Sequence, residues 1–133
     1  AQYKAMRESA LQANAGLFYE TNVGGGLPVI DTLRGLVGSG DSVHKIEAIC
    51  SGTLSYVFNT FTEGKRFSDV IKEAREKGFT EPDPRDDLGG TDVARKLLIL
   101  AREIGLTLEL SDISVENLVP ASCAKAASVE EFF

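Results

Sequence analysis

Tyr3, Met6, Ala10 and Leu11 recur at helical spacing and predict a helix over 2–15. The segment 17–21, LFYET, reads as a short strand rich in aromatic residues, and the glycines of 24–26 as a loop. Pro28 suits the first turn of a helix, where its missing N–H would be unpaired anyway; that helix runs to about Leu36 and stops at the 38–40 segment GSG. Over 42–50 the chain alternates Val43, Lys45, Glu47 and Ile49 against His44, Ile46, Ala48 and Cys50, and the second, mostly apolar set predicts a half-buried strand. A helix follows over 53–62 with Leu54, Val57, Phe58 and Phe61 on one face. Ser68 is placed to cap the next, over 69–77, which ends at Gly78 and carries a narrow stripe of Val70, Ile71 and Ala74. Pro82 and Pro84 hold the following segment extended. The longest helical pattern covers 90–104, with Val93, Ala94, Leu97, Leu98, Leu100, Ala101 and Ile104 in a broad apolar arc. A short extended piece and a strand near 113–119 complete the pattern. Together these elements predict an α+β domain, helices packed on a small mixed sheet, within one unit of 133 residues.

Both ends look cut. The first helical pattern has no cap before it, and the last residues hold an S-x-x-E capping box, Ser128 to Glu131, that announces a helix and then stops. The expectation is an excised piece of a longer protein with an incomplete sheet; a frayed natural terminus is the alternative.

Composition narrows the function. Hydrophobic residues make up 43% and charged residues 26%, as in ordinary globular proteins, and the net charge is −6. Without a basic face, nucleic acid is not an expected partner, nor is an anionic membrane surface. No apolar run reaches the roughly 20 residues of a membrane span, and no secretory signal is visible. Cys50 and Cys123 are far apart and read as free thiols in a reducing cytoplasm. His44, the single histidine, has no partners for a zinc site and lies on the mostly apolar strand face, as packed core histidines do; Tyr56 and the phenylalanines read as core too.

Candidate chemistry gathers in 78–96, GFTEPDPRDDLGGTDVARK. Asp92 and Lys96 stand one helical turn apart, with Lys96 at the border of the apolar arc. A half-sheltered amine beside a carboxylate suits acid–base work; an exposed pair worth about 0.3–0.5 kcal/mol is the plainer reading. The 81–87 segment EPDPRDD is either a stiff loop whose carboxylates bind an ammonium group or an ordinary acidic turn. Over 20–28, ETNVGGGLP, the glycines let carbonyls converge on a cation beside Glu20, or simply make a flexible loop; G-x-G-x-x-G is missing. Ser51, Gly52 and Thr53 sit at a strand-to-helix junction and serve either an anion or the helix cap.

Three strings taken together resemble the homoserine dehydrogenase family: YETNVGGGLPVIDTL over 19–33, SGTLSYVFNTF over 51–61 and GFTEPDPRDDLGGTDVARK over 78–96. The run that follows, LLILARE, is most similar to the bifunctional aspartokinase–homoserine dehydrogenases. The resemblance covers roughly residues 1–120 and implies reduction of aspartate semialdehyde to homoserine with NADP or NAD cofactors, on the way to threonine, isoleucine and methionine. It implies Lys96 as the acid–base lysine, and Glu81 and Asp92 as carboxylates that hold the substrate amino group. Asp87 resembles a further member of the acidic cleft, Gly52 and Thr53 its wall, and Gly78 the glycine that approaches the nicotinamide. Glu20 with the carbonyls of Val23, Gly25 and Leu27 resembles a monovalent-cation site, usually sodium. A cytoplasmic homodimer is the implied assembly. Gly25 departs from the usual Ala and Phe79 from a common Tyr. The family's cofactor-binding Rossmann domain and its other catalytic lysine find no counterpart in these residues. The chain alone is therefore expected to be inactive, with a non-catalytic assembly module as its alternative role.

Overall fold

A computed structural model describes residues 2–133. The α-helices, in chain order, are α1 (Gln2–Gln12), α2 (Val29–Gly38), α3 (Gly52–Thr60), α4 (Phe67–Glu76), α5 (Pro84–Leu88), α6 (Thr91–Glu103), α7 (Ala121–Ala124) and α8 (Val129–Phe132). Short 3-10 turns lie at Glu20–Asn22 and Leu110–Asp112. No strand forms among the described residues, so the expected α+β fold on a mixed sheet is replaced by an all-helical one.

The physical reason is the lack of pairing. Strands persist by exchanging backbone hydrogen bonds with a neighbour. The extended 42–50 segment makes no backbone–backbone bond over 43–49 among the described residues. Near 113–119, the Leu118 N–H donates to the Leu88 carbonyl at the end of α5 instead of to a parallel or antiparallel neighbour. The aromatic 17–21 segment runs into the 3-10 turn at Glu20–Asn22. His44 is exposed rather than packed, and so are Phe18, Phe58, Phe61 and Phe79.

Burial is organised around two apolar clusters. In one, Val57 of α3 meets Val70, Ile71 and Ala74 of α4, Leu88 of α5 and Val119. This is the expected α4 stripe, and α3 packs on α4 through it. In the other, Ile30 and Leu33 of α2 meet Val23 and Leu100 of α6. Each fully buried Ile or Val contributes about 1.5–3 kcal/mol relative to exposure. α6 bridges the clusters' elements by packing on both α2 and α5. Its arc is narrower than expected: Ala94, Leu98, Leu100 and Ala101 are buried, while Leu97 is exposed.

Helix ends follow local chemistry. Ser51 caps α3 by accepting the Leu54 N–H at 3.1 Å. Ser68 does not cap α4, which begins one residue earlier than its expected cap. α5 was not expected: Pro82 and Pro84 predict extension, yet Asp83 is an N-cap that accepts the Arg85 N–H at 3.0 Å, and Pro84 occupies the first helical position, where proline is tolerated. The capping signal at Ser128 produces α8, with Ser128 accepting the Glu131 N–H at 3.1 Å.

Candidate active site

The α5–α6 region holds the acidic cleft. A cavity of about 600 Å³ is lined by Ser51, Glu81, Arg85, Asp86, Asp87 and Asp92, among others. Glu81, Asp87 and Asp92, separated in sequence by up to eleven positions, thus face one space. α6 supplies Asp92 in its first turn, where a carboxylate is favoured by the helix dipole.

Lys96 lies one turn further along α6. Its Nζ is 2.6 Å from Asp92 Oδ2 and donates to the Cys50 carbonyl at 2.8 Å. Its side chain is 24% exposed, against 59% for Asp92. This differs from a solvated surface pair in two respects: the amine is mostly sheltered, and it reaches a second acceptor from another segment. Lys96 is not among the residues lining the cavity and meets it through Asp92, which is.

Asp87 ties the loop together. Its Oδ2 accepts the Glu81 backbone N–H at 2.8 Å, and its Oδ1 accepts the Thr53 hydroxyl at 2.8 Å. The Thr53 oxygen also lies 2.5 Å from the Phe79 carbonyl. Two acceptors, the Asp87 carboxylate and the Phe79 carbonyl, therefore share one hydroxyl proton, a surplus that suits a cationic donor. Thr53 does not line the cavity itself; it meets the cleft through Asp87 and leaves capping of α3 to Ser51. Gly52 opens α3 beside that cap.

Gly78 ends the α4 segment with φ of +73°, a left-handed conformation that favours glycine, and has open space at its Cβ position. Next to it, Phe79 packs against Tyr56 with ring centroids 4.7 Å apart and the ring planes tilted by 53°. Tyr56 donates to Glu73 at 2.8 Å and accepts from Lys77 at 2.8 Å. Paired with Tyr56 and Lys77, the Glu73 carboxyl lies below its usual range, the Lys77 hydrogen bond being the largest cause.

The expected cation ligands form a separate group at the start of α2. Glu20 accepts the N–H groups of Ile30 at 2.7 Å and Asp31 at 2.8 Å, so its carboxylate serves as a cap for the helix. The carbonyls of Val23 and Gly25 accept no hydrogen bond among the described residues, and that of Leu27 accepts the Val29 N–H. Gly25 has φ of +62°, a left-handed conformation that an alanine would adopt only with strain, so glycine fits this loop. An oxygen-rich donor set of carbonyls and one carboxylate suits a hard monovalent cation. No cluster of three or more His, Cys, Asp or Glu side chains able to hold a metal occurs among the described residues.

Sequence reasoning missed the contributions of Arg85, of the Cys50 and Phe79 carbonyls, and of buried Glu103. Backbone acceptors carry no signature in side-chain identity. The Asp83–Pro84 pair did carry one, since a capping residue followed by proline marks a helix start. Glu103, in the last turn of α6, has a side chain only 2% exposed. It accepts from Arg34 Nε at 2.6 Å, Tyr19 at 2.5 Å and Tyr3 at 3.0 Å. Burial pushes its carboxyl upward, but the donors from Arg34, Tyr19 and Tyr3 outweigh that, and the net direction is below the usual range. The Tyr19 hydroxyl is pushed up, first by burial and then by Glu103.

Comparisons with known proteins bear on this geometry. The profile of the homoserine dehydrogenase family matches residues 28–132. A bifunctional aspartokinase/homoserine dehydrogenase 2, chloroplastic, of Zea mays is 58% identical over 131 residues, covering 98% of this chain and 14% of that protein. A homoserine dehydrogenase of Schizosaccharomyces pombe is 46% identical over 136 residues, covering 98% of this chain and 36% of that protein. A crystal structure of a protein of unknown function from Candida auris superposes with a TM-score of 0.90 at 47% identity, covering 98% of this chain and 38% of that one. The chain thus spans 14% of the length of its maize relative. No described helix is long and apolar enough to cross a membrane. On the match of its residues 28–132, this chain belongs to the homoserine dehydrogenase family.

Proposed function

We propose that the protein carrying this chain interconverts L-homoserine and L-aspartate 4-semialdehyde with NADP or NAD, in the biosynthesis of threonine, methionine and isoleucine, and that this chain forms part of its substrate-binding and catalytic region. The observation that carries the reading is Lys96, held 2.6 Å from Asp92 beside a cavity that Glu81, Asp87 and Asp92 share. In this reading the Lys96 ammonium gives its proton to the substrate carbonyl oxygen as the aldehyde becomes an alcohol, and takes the hydroxyl proton back in the reverse direction. Glu81 and Asp92 hold the substrate ammonium, whose desolvation they offset as a charge-assisted pair. Asp87, Thr53 and Gly52 shape the wall.

The described residues contain no strand and hence no strand–glycine turn–helix unit, so they do not fit a dinucleotide site by themselves. Gly78, left-handed and open at its Cβ position, is the point at which this chain is proposed to come nearest the nicotinamide. Sodium is proposed at Glu20 and the carbonyls of Val23, Gly25 and Leu27. The test is oxidation of L-homoserine by the protein expressed from the full reading frame that encodes this chain. NADP- or NAD-dependent absorbance change is expected; its absence with a folded protein overturns the reading.

A second property is favoured by one observation. The extended 42–50 segment leaves its backbone without backbone partners over 43–49 among the described residues, with Ile49 80% exposed. An unpaired edge of this kind invites another chain. We therefore also propose a homodimer, and a strict monomer in sedimentation at high concentration counts against it.

A further inference from the structure

We infer that Arg85 is a positioning residue of the acidic cleft, an inference that rests on the functional reading above. Its guanidinium grips two segments at once. Nε lies 2.9 Å and 3.0 Å from the two Asp83 oxygens, and Nη2 lies 2.6 Å from Asp83 Oδ2. Nη1 donates to the Ala126 carbonyl at 2.8 Å, and the group stands 5.8 Å from the Phe132 ring centre. The C-terminal residues around α7 and α8 are thereby fastened to the start of α5. That start is where the cleft is built. Asp83 caps α5, and one turn later Asp87 holds the Glu81 N–H and the Thr53 hydroxyl.

A planar fork with several donors can satisfy a carboxylate and a carbonyl together, and an ammonium on a flexible stem cannot hold both in fixed directions. The guanidinium beside Asp83 also keeps that carboxyl below its ordinary range, so the pair stays ionised at neutral pH. Arg85 does not itself need to touch substrate. Its effect travels through α5: if the clamp opens, Asp87 shifts, the Glu81 backbone loses its anchor, and the carboxylate proposed to hold the substrate ammonium moves with it. A displaced carboxylate makes a poorer charge-assisted bond to the substrate ammonium, a loss of ground-state binding that is read first in KM.

A natural control lies on the same C-terminal segment. Arg75 of α4 reaches Glu130 of α8 at 3.9 Å, an exposed contact that ties down the segment outside the Asp83 clamp; its charge is only the smallest of the influences on the Asp83 carboxyl. The experiment compares Arg85→Ala, Arg85→Lys and Arg75→Ala in the full-length protein, reading KM for L-homoserine, kcat, thermal midpoint, and recovery on adding guanidinium ion. Arg85→Ala is expected to raise KM at least tenfold with a smaller fall in kcat, and millimolar guanidinium is expected to restore several-fold of the loss. Arg85→Lys, the variant that keeps charge and fold, is expected to show an intermediate rise in KM. Arg75→Ala is expected to stay within twofold of wild type in both constants. The inference is overturned if Arg85→Lys and Arg85→Ala keep wild-type KM. It is equally overturned if their losses merely track the thermal midpoint, match Arg75→Ala and ignore guanidinium. A wild-type protein that does not turn over L-homoserine overturns the underlying functional reading as well, and so separates the two failures.

Discussion

Asp87 holds Glu81 by its backbone and not by its side chain: Asp87 Oδ2 accepts the Glu81 N–H at 2.8 Å, which leaves the Glu81 carboxylate free for a ligand. The other Asp87 oxygen takes the Thr53 hydroxyl at 2.8 Å, so a residue of α3 and a residue of the 78–83 loop are registered on one carboxylate. Two acidic residues that line the same cavity thus have different jobs: Asp87 also holds the loop and α3 in register, while the Glu81 side chain makes no such tie among the described residues.

Thr53→Val tests that division in the full-length protein. It removes the donor to the Asp87 side chain, a bond worth about 1.5–3 kcal/mol, at little change in volume. The expected result is a fall in kcat/KM for L-homoserine of roughly ten- to a hundredfold, together with a thermal midpoint lowered by several degrees for the lost bond. Unchanged kinetics remove Thr53 from the site.

Glu103 governs how α1 is attached. α1 has no buried residue of its own, and Tyr3 donates to Glu103 at 3.0 Å. Glu103→Ala leaves the Arg34 guanidinium without its partner at 2.6 Å. Loss of one member of a buried pair costs about 3–5 kcal/mol, and because Arg34 is itself half-exposed a value of about 2–3 kcal/mol is expected in chemical denaturation.

The same carboxyl sets an acid limit. Its folded pKa lies below the ordinary 4.5, so the stability it contributes is fully present above pH 4.5 and is lost as pH falls through the folded value. Glu103→Gln should therefore flatten the fall of the thermal midpoint below pH 4.5. A variant with wild-type acid sensitivity shows that other carboxylates dominate.

Much of this was legible from residue order, for identifiable reasons. The Val70–Ile71–Ala74 stripe, the glycine stops and the Ser128 capping signal each rest on contacts within a few positions, and each appears in the fold. Proximity of Glu81, Asp87 and Asp92 was reached through family resemblance, because only tertiary packing of α3, α5 and α6 joins them. The sheet was misread because alternation over 42–50 reports a preference for extension, while a strand also requires a partner that local sequence does not name. α5 was missed because the rule that proline favours extension before it outweighed the rule that proline begins helices.

Glu20 links the glycine loop to the start of α2 through charge-assisted bonds to Ile30 and Asp31. Glu20→Gln should lower stability by about 0.5–2 kcal/mol through the weakened cap. If the proposed sodium site is correct, sodium chloride raises the wild-type thermal midpoint above that in equal tetramethylammonium chloride, and the variant loses this difference. Equal midpoints for the wild-type protein in the two salts overturn the cation proposal.

The most direct test of the account is Lys96→Met in the full-length protein, with homoserine turnover, homoserine binding and thermal midpoint measured side by side. Met preserves the stem that packs along α6 and deletes the amine that meets Asp92 and the Cys50 carbonyl. The account predicts a fall in kcat of about 10²–10⁴-fold, the range of a lost general acid, with the protein folded and homoserine still bound. Turnover within threefold of wild type would contradict it.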